Sequence, residues 1–167
     1  MNNENTKNFL ISSGFPSNLT LKTVKATDIL VSSSDFFNEN FRGAIAFDID
    51  PYVPGYTDIS ADGFAYFFKV LLNAVFGESV VRISSAADAK VLTLFVDWKT
   101  KTEISSQDLA ELKTTARLSG FDFTILKNQD FTRATITLNL KKTKVLSLYA
   151  VSIQTMRDAF VRVFFLT

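Results

Sequence analysis

The residues of this sequence best suited to chemistry are a polar row, Tyr66, Lys69 and Asn73, on one long amphipathic stretch, and Asp97, which closes an alternating one. Tyr66, Lys69 and Asn73 stand at i, i+3 and i+7, so a helix puts them on one face, opposite its apolar stripe. Such a row either lines a ligand pocket or forms the less buried side of a helix. Asp97 followed by Trp98 and Lys99 reads either as a ligand acceptor or as a turn former at a strand end. Trp98, the single tryptophan, suits an interaction surface if exposed and a core if not. The carboxylates Asp48, Asp50, Asp58 and Asp62 have the chemistry for acid/base work or a divalent cation, but not EF-hand spacing. Helix capping and the helix dipole account for acids placed around a turn and a helix start.

What is missing narrows the chemistry further. The 167 residues contain no His and no Cys, which excludes Ser-His-Asp and Cys-His nucleophiles, thiolate zinc sites, iron-sulfur clusters and disulfides. No phosphate-binding P-loop, dinucleotide fingerprint or G-x-S-x-G elbow occurs. The expectation is a protein without a complete catalytic site and without a bound metal.

The elements that must position these residues follow from hydrophobic period. Leu19–Val24 alternates as a strand, Thr27–Asn40 is near helical spacing despite Ser32, Ser33 and Ser34, and Gly43–Ile49 reads as a strand ended by DPYVPGY. From Asp62 to Phe76, Phe64, Phe67, Phe68, Leu71, Leu72 and Val75 draw one unbroken stripe along a helix, with Ser60 as N-cap and Gly77 as stop. Strands Val80–Ser84 and Val91–Asp97 flank the turn SAADAK. A helix Gln107–Leu118, capped by Ser105 or Ser106 and closed by Gly120, precedes a hairpin of Phe121–Leu126 and Ala134–Leu140 around KNQDFTR. Tyr149, Ile153, Met156, Phe160 and Val163 predict an amphipathic helix over Leu146–Phe165, and the surface it docks on is not specified.

These elements make an α/β (α+β) two-layer sandwich: a mixed, mostly antiparallel sheet with helices on one face, plus an extra C-terminal helix. The chain reads as a single domain over 1–167. It has a polar start (1–18), a body (19–140) and a C-terminal extension (141–167). Seventeen phenylalanines predict a thick aromatic core. The net charge of +1 hides an asymmetry: from Phe131 onward six basic residues face one acidic, leaving −4 for the rest. One short KKTK run is no nucleic-acid footprint. Without a signal-peptide pattern or an 18-residue apolar run, a cytoplasmic protein is expected, with no membrane contact.

The order of elements and two short motifs resemble the ATP-binding domain of sensor histidine kinases, the Bergerat or GHKL fold, over Leu19–Leu140. Lys69, Val70, Leu71, Leu72, Asn73, Ala74 matches the family's N-L-L-x-N-A, with Asn73 where the resemblance implies a magnesium-binding asparagine and Lys69 replacing the first asparagine. Asp97 falls where the family's D-x-G-x-G holds adenine, but Lys99 and Lys101 replace its glycines. Only Thr102–Gln107 separates that strand from the next helix, too little for an ATP lid and a second glycine box. The resemblance implies a degenerate domain of bacterial signalling. Without ATP or another cofactor, it would act through a protein partner or self-association. Two alternatives stay open: a small-molecule or nucleotide module using a remnant pocket at Asn73, Asp97, Tyr66 and Lys69, and an anti-sigma-type kinase using ATP and magnesium at a remodelled site.

Overall fold

A computed structural model describes residues 14–16, 19–50, 53–75, 80–99 and 103–141. The predicted C-terminal helix, Phe76, Gly77 and Lys101 lie outside the described residues. The elements run β1 (Lys22–Lys25), α1 (Ala26–Asn40), β2 (Ala44–Asp48), β3 (Tyr56–Ile59), α2 (Ala61–Ala74), β4 (Val80–Ala87), β5 (Val91–Lys99), α3 (Ser106–Ser119), β6 (Asp122–Lys127) and β7 (Phe131–Asn139). The main sheet has the order β2-β4-β5-β7-β6, with β2 parallel to β4 and every other pair antiparallel. A second, two-stranded sheet pairs β1 with β3.

Alternation decides which face of the main sheet is inside. On β5, Leu92, Leu94, Val96 and Trp98 are buried, and on β7 Thr132, Ala134, Ile136 and Leu138 are buried opposite them. These side chains join those of the helices in one core, so the helices cover this face. Thr93, Phe95, Asp97, Arg133, Thr135 and Thr137 alternate with them and stand on the other face. The phenylalanine excess is explained at the α2 interface. Phe64 and Phe67 meet Phe121 edge-to-face at 5.2 and 5.1 Å, and Phe67 meets Phe123 at 4.9 Å. Phe68 bridges to α1 through Phe37 at 5.2 Å. Edge-to-face pairs of this kind add about 0.5–1.5 kcal/mol each beyond area burial.

Local chemistry accounts for the ends of the elements. Ser60 Oγ, the N-cap read from sequence, accepts from Gly63 N at 3.2 Å, and of the two serines offered for the next helix it is Ser105 whose Oγ accepts from Asp108 N, at 3.0 Å. Gly120 ends α3 in the left-handed region at φ +89. Within the serine run of α1, the Ser33 and Ser34 hydroxyls donate back to the carbonyls of Ile29 and Leu30 at 2.7 and 3.0 Å, which satisfies them inside the helix.

Both hairpins are tighter and longer than their sequence suggests. Asp88 Oδ1 accepts from the backbone N–H of Lys90 and Val91 (2.6 and 2.8 Å), and Asn128 Oδ1 from those of Asp130 and Phe131 (2.9 and 2.8 Å). These turns let β4 run on to Ala87 and β7 begin at Phe131, inside stretches expected to be loop. Strand β3 was hidden among turn residues. It is recognisable only once β1 pairs with it, Lys22 opposite Ile59 and Lys25 opposite Tyr56.

Candidate functional site

Helix α2 is buried on most of its circumference. Phe64, Phe67, Phe68, Val70, Leu71, Leu72 and Ala74 are buried, which leaves Asp62 exposed in the first turn and the narrow exposed stripe Ala61, Ala65, Lys69 and Asn73. Lys69 and Asn73 therefore point outward together, as their spacing requires.

Tyr66 lies to one side of that stripe and is half-buried at the seam with α3. Its hydroxyl donates to Glu111 Oε1, and the Phe15 ring stands edge-to-face on it at 5.2 Å. The same seam is tight lower down. A Cβ on Gly63 would lie 2.0 Å from Ser119 Oγ and 2.8 Å from Leu19 Cδ2, so the α2–α3 approach requires glycine there. Neither Phe15 nor Glu111 carries a recognisable motif.

Asp97 sits on the other face of the sheet from α2. Its two carboxylate oxygens accept from Arg133 Nε at 2.7 Å and Nη2 at 2.8 Å, a bidentate pair between directly opposed residues of β5 and β7. The Asp97 side chain is 14% exposed and that of Arg133 36%. The guanidinium is also held over the Phe95 and Phe131 rings, 4.9 and 5.5 Å from their centroids. The hydrogen bonds to Asp97 hold the Arg133 pKa above its ordinary value, with burial opposing them.

At the end of β5 it is Trp98 that faces the helix side, 2% exposed, its indole N–H without a protein acceptor among the described residues. Of the two readings of Trp98, core holds and exposed interaction surface does not. Lys99 ends the strand exposed.

The remaining carboxylates do not converge. Asp48 pairs with Arg82 at 2.8 Å, Asp58 accepts from Thr23 Oγ1 at 2.7 Å and pairs with Lys141, and Asp62 stands exposed in the first turn of α2. The Asp50 backbone N–H donates to Ser85 Oγ at 3.2 Å. Among the described residues no group of three or more acidic side chains could hold a metal ion. A cavity of about 120 Å³ opens between α1 and α2, over Ile29, Phe36, Phe64 and Phe68; Tyr66, Lys69, Asn73 and Asp97 are not among its lining residues.

A five-stranded mixed sheet carrying the long α2 helix before a β4–β5 hairpin, then α3 and a closing hairpin, is the fold of histidine kinase ATP-binding domains. The chain is similar to histidine kinase AdeS of Acinetobacter baumannii (TM-score 0.51, 14% identity, covering 83% of this chain and 76% of that one). It is also similar to the ATP-binding domain of PrrB from Mycobacterium tuberculosis (0.55, 14%, 74% and 99%). A third likeness is to histidine kinase ThkA, solved in complex with the response regulator protein TrrA (0.56, 9%, 83% and 47%). No protein-family model and no curated protein matches the sequence. Among the described residues no helix is long and apolar enough to cross a membrane.

Proposed function

We propose that this chain is a non-catalytic regulatory or interaction domain of a signalling system, a histidine-kinase ATPase fold that works by protein contact without ATP. The observation that carries this reading is the placement of Asp97. Its carboxylate is engaged by Arg133 on the sheet face away from α2, while Asn73 points outward from α2 on the other side. A ligand held by both would have to reach across the sheet and the helix layer, which stand on the order of 10 Å apart. The described residues therefore do not fit a nucleotide between these two side chains.

Supporting this, Lys99 occupies the position of the motif's first glycine. The seam beside the Lys69–Asn73 stripe is closed by the Tyr66–Glu111 hydrogen bond and by Phe15. That ThkA was solved with a response regulator makes a signalling protein a reasonable class of partner. Calorimetric titration with ATP or ADP and magnesium tests the reading. No heat of binding is expected, and a micromolar dissociation constant would overturn it.

A further inference from the structure

The groove between α1 and α2 is the described surface least explained by the fold. Its floor is apolar, made by Ile29, Phe36, Phe64 and Phe68, and its wall on α2 is low because Ala61 and Ala65 stand there. Its outer rim is acidic: Asp28, Asp35 and Glu39 stand exposed on α1 at i, i+7 and i+11, one face of the helix, against Lys69 beyond Ala65 on α2. The lining on α1 runs from Asp28 to Phe36, about 13 Å of helix, so an occupant must bring an apolar stripe at least that long and a net positive charge.

Such a sequence exists in the chain itself. Residues 142–167 carry Lys142, Lys144, Arg157 and Arg162 against Asp158 alone, a net of +3. Tyr149, Ile153, Met156, Phe160 and Val163 span 15 residues at helical spacing, a rise of about 21 Å from first to last. The described chain also ends in the right place. Lys141 is bridged to Tyr56 on β3 and its ammonium pairs with Asp58. Ile59, three residues further along β3, lines the cavity, about 10 Å away at strand rise. The eight residues from Lys141 to Tyr149 reach about 26 Å when extended, ample for that gap.

We propose that the segment 142–167 docks in cis in the α1–α2 groove, its apolar stripe on Phe36, Phe64 and Phe68 and its basic residues toward the α1 rim. The outer face of the main sheet is the competing surface. It offers Arg82, Lys99 and the Asp97–Arg133 pair; of its acids, Asp48 and Asp97 are already paired with Arg82 and Arg133, and Asp122 stands apart on the edge strand β6.

The absence of native cysteine makes a clean test. A nitroxide on Ser32→Cys, at the groove, is expected to abolish the amide NMR signals of residues 149–163 in the same isotope-labelled full-length chain, even after dilution with unlabelled protein. A nitroxide on Leu126→Cys, 62% exposed on β6, is expected to leave them intact. The double variant Asp28→Lys, Asp35→Lys should restore part of the signal lost under the Ser32 label. Retained signals with the label at Ser32 would overturn the proposal. So would loss only with the label at Leu126, which puts the segment on the sheet, or loss only through a second, nitroxide-bearing chain, which makes the contact one between copies.

Discussion

Removing the Asp97 carboxylate separates a structural role from a ligand-binding one. In Asp97→Ala, Arg133 keeps its place over Phe95 and Phe131 but loses both charge-assisted hydrogen bonds. Hydrogen bonds to charged groups contribute about 1.5–3 kcal/mol, whereas fully exposed ion pairs contribute about 0.2–1. With side chains 14% and 36% exposed, the pair falls between these limits, and a loss of about 1–2 kcal/mol is expected. For a chain of this length that lowers Tm by about 3–6 °C.

The assay is a double-mutant cycle by urea denaturation with Asp97→Ala, Arg133→Ala and both together. Arg133→Ala should cost more than Asp97→Ala, because it also strips the cation from two rings, at about 0.5–1 kcal/mol each. A coupling energy of about 1 kcal/mol is expected, only weakly reduced by salt because the pair is partly buried. A stability change within about 0.5 kcal/mol for Asp97→Ala, or zero coupling, would refute the reasoning. Asp97 would then be free to serve a ligand, and the case for a non-catalytic domain would lose its main support.

Other substitutions test the remaining geometry. Gly63→Ala forces Ser119 and Leu19 away from α2 and should destabilise by about 1–3 kcal/mol in urea. Gly120→Ala combines φ +89 with a Cβ 2.6 Å from the Asp58 carbonyl oxygen and should lower the denaturation midpoint by at least as much as an exposed helical Gly→Ala change raises it. Asp58 is held below the usual carboxylate value of 3.8 by hydrogen bonds from Lys141 and Thr23, and Asp88 by those from the Lys90 and Val91 backbone. Because these folded-state values are depressed, their stabilisation is present above 3.8 and lost as pH falls below it. The Tm should therefore drop on acidification, and Asp58→Asn should flatten that slope. Trp98, buried at the sheet end, should emit at short wavelength when folded and shift to the red on denaturation; an unshifted spectrum would contradict its burial.

The fold was legible wherever one period dominated. Phe64 to Val75 carries enough apolar side chains at 3.6-residue spacing to require a helix packed on a sheet, and Ser60, Ser105 and Gly120 mark ends because each satisfies orphan backbone groups there. Strand β3 was not legible, because YTDI has no stripe of its own and exists by pairing with β1. The start of β7 was hidden for a different reason: Asn128 closes the turn with its side chain, so Phe131 and Arg133 fall in strand where polar residues suggest loop.

The decisive point about the site, however, was already encoded in parity. Leu92, Leu94 and Val96 share one parity of β5 and Thr93, Asp97 and Lys99 the other, so the next residue inward is Trp98, and Asp97 stands with the half-buried Val91 and Phe95 on the face away from the helices. Motif position aligns Asp97 with an adenine-holding aspartate; alternation turns it outward by one residue. A one-residue displacement in a strand exchanges the whole set of faces, and in the structure Asp97 stands on the outer one. The Arg133 guanidinium bound to Asp97 is what an outward-facing carboxylate beside a cationic neighbour strand would acquire. On the proposed reading, restoring a glycine at Lys99 alone is expected to leave ATP and ADP unbound in the same calorimetric titration, since the carboxylate would still face Arg133 on the far side of the sheet.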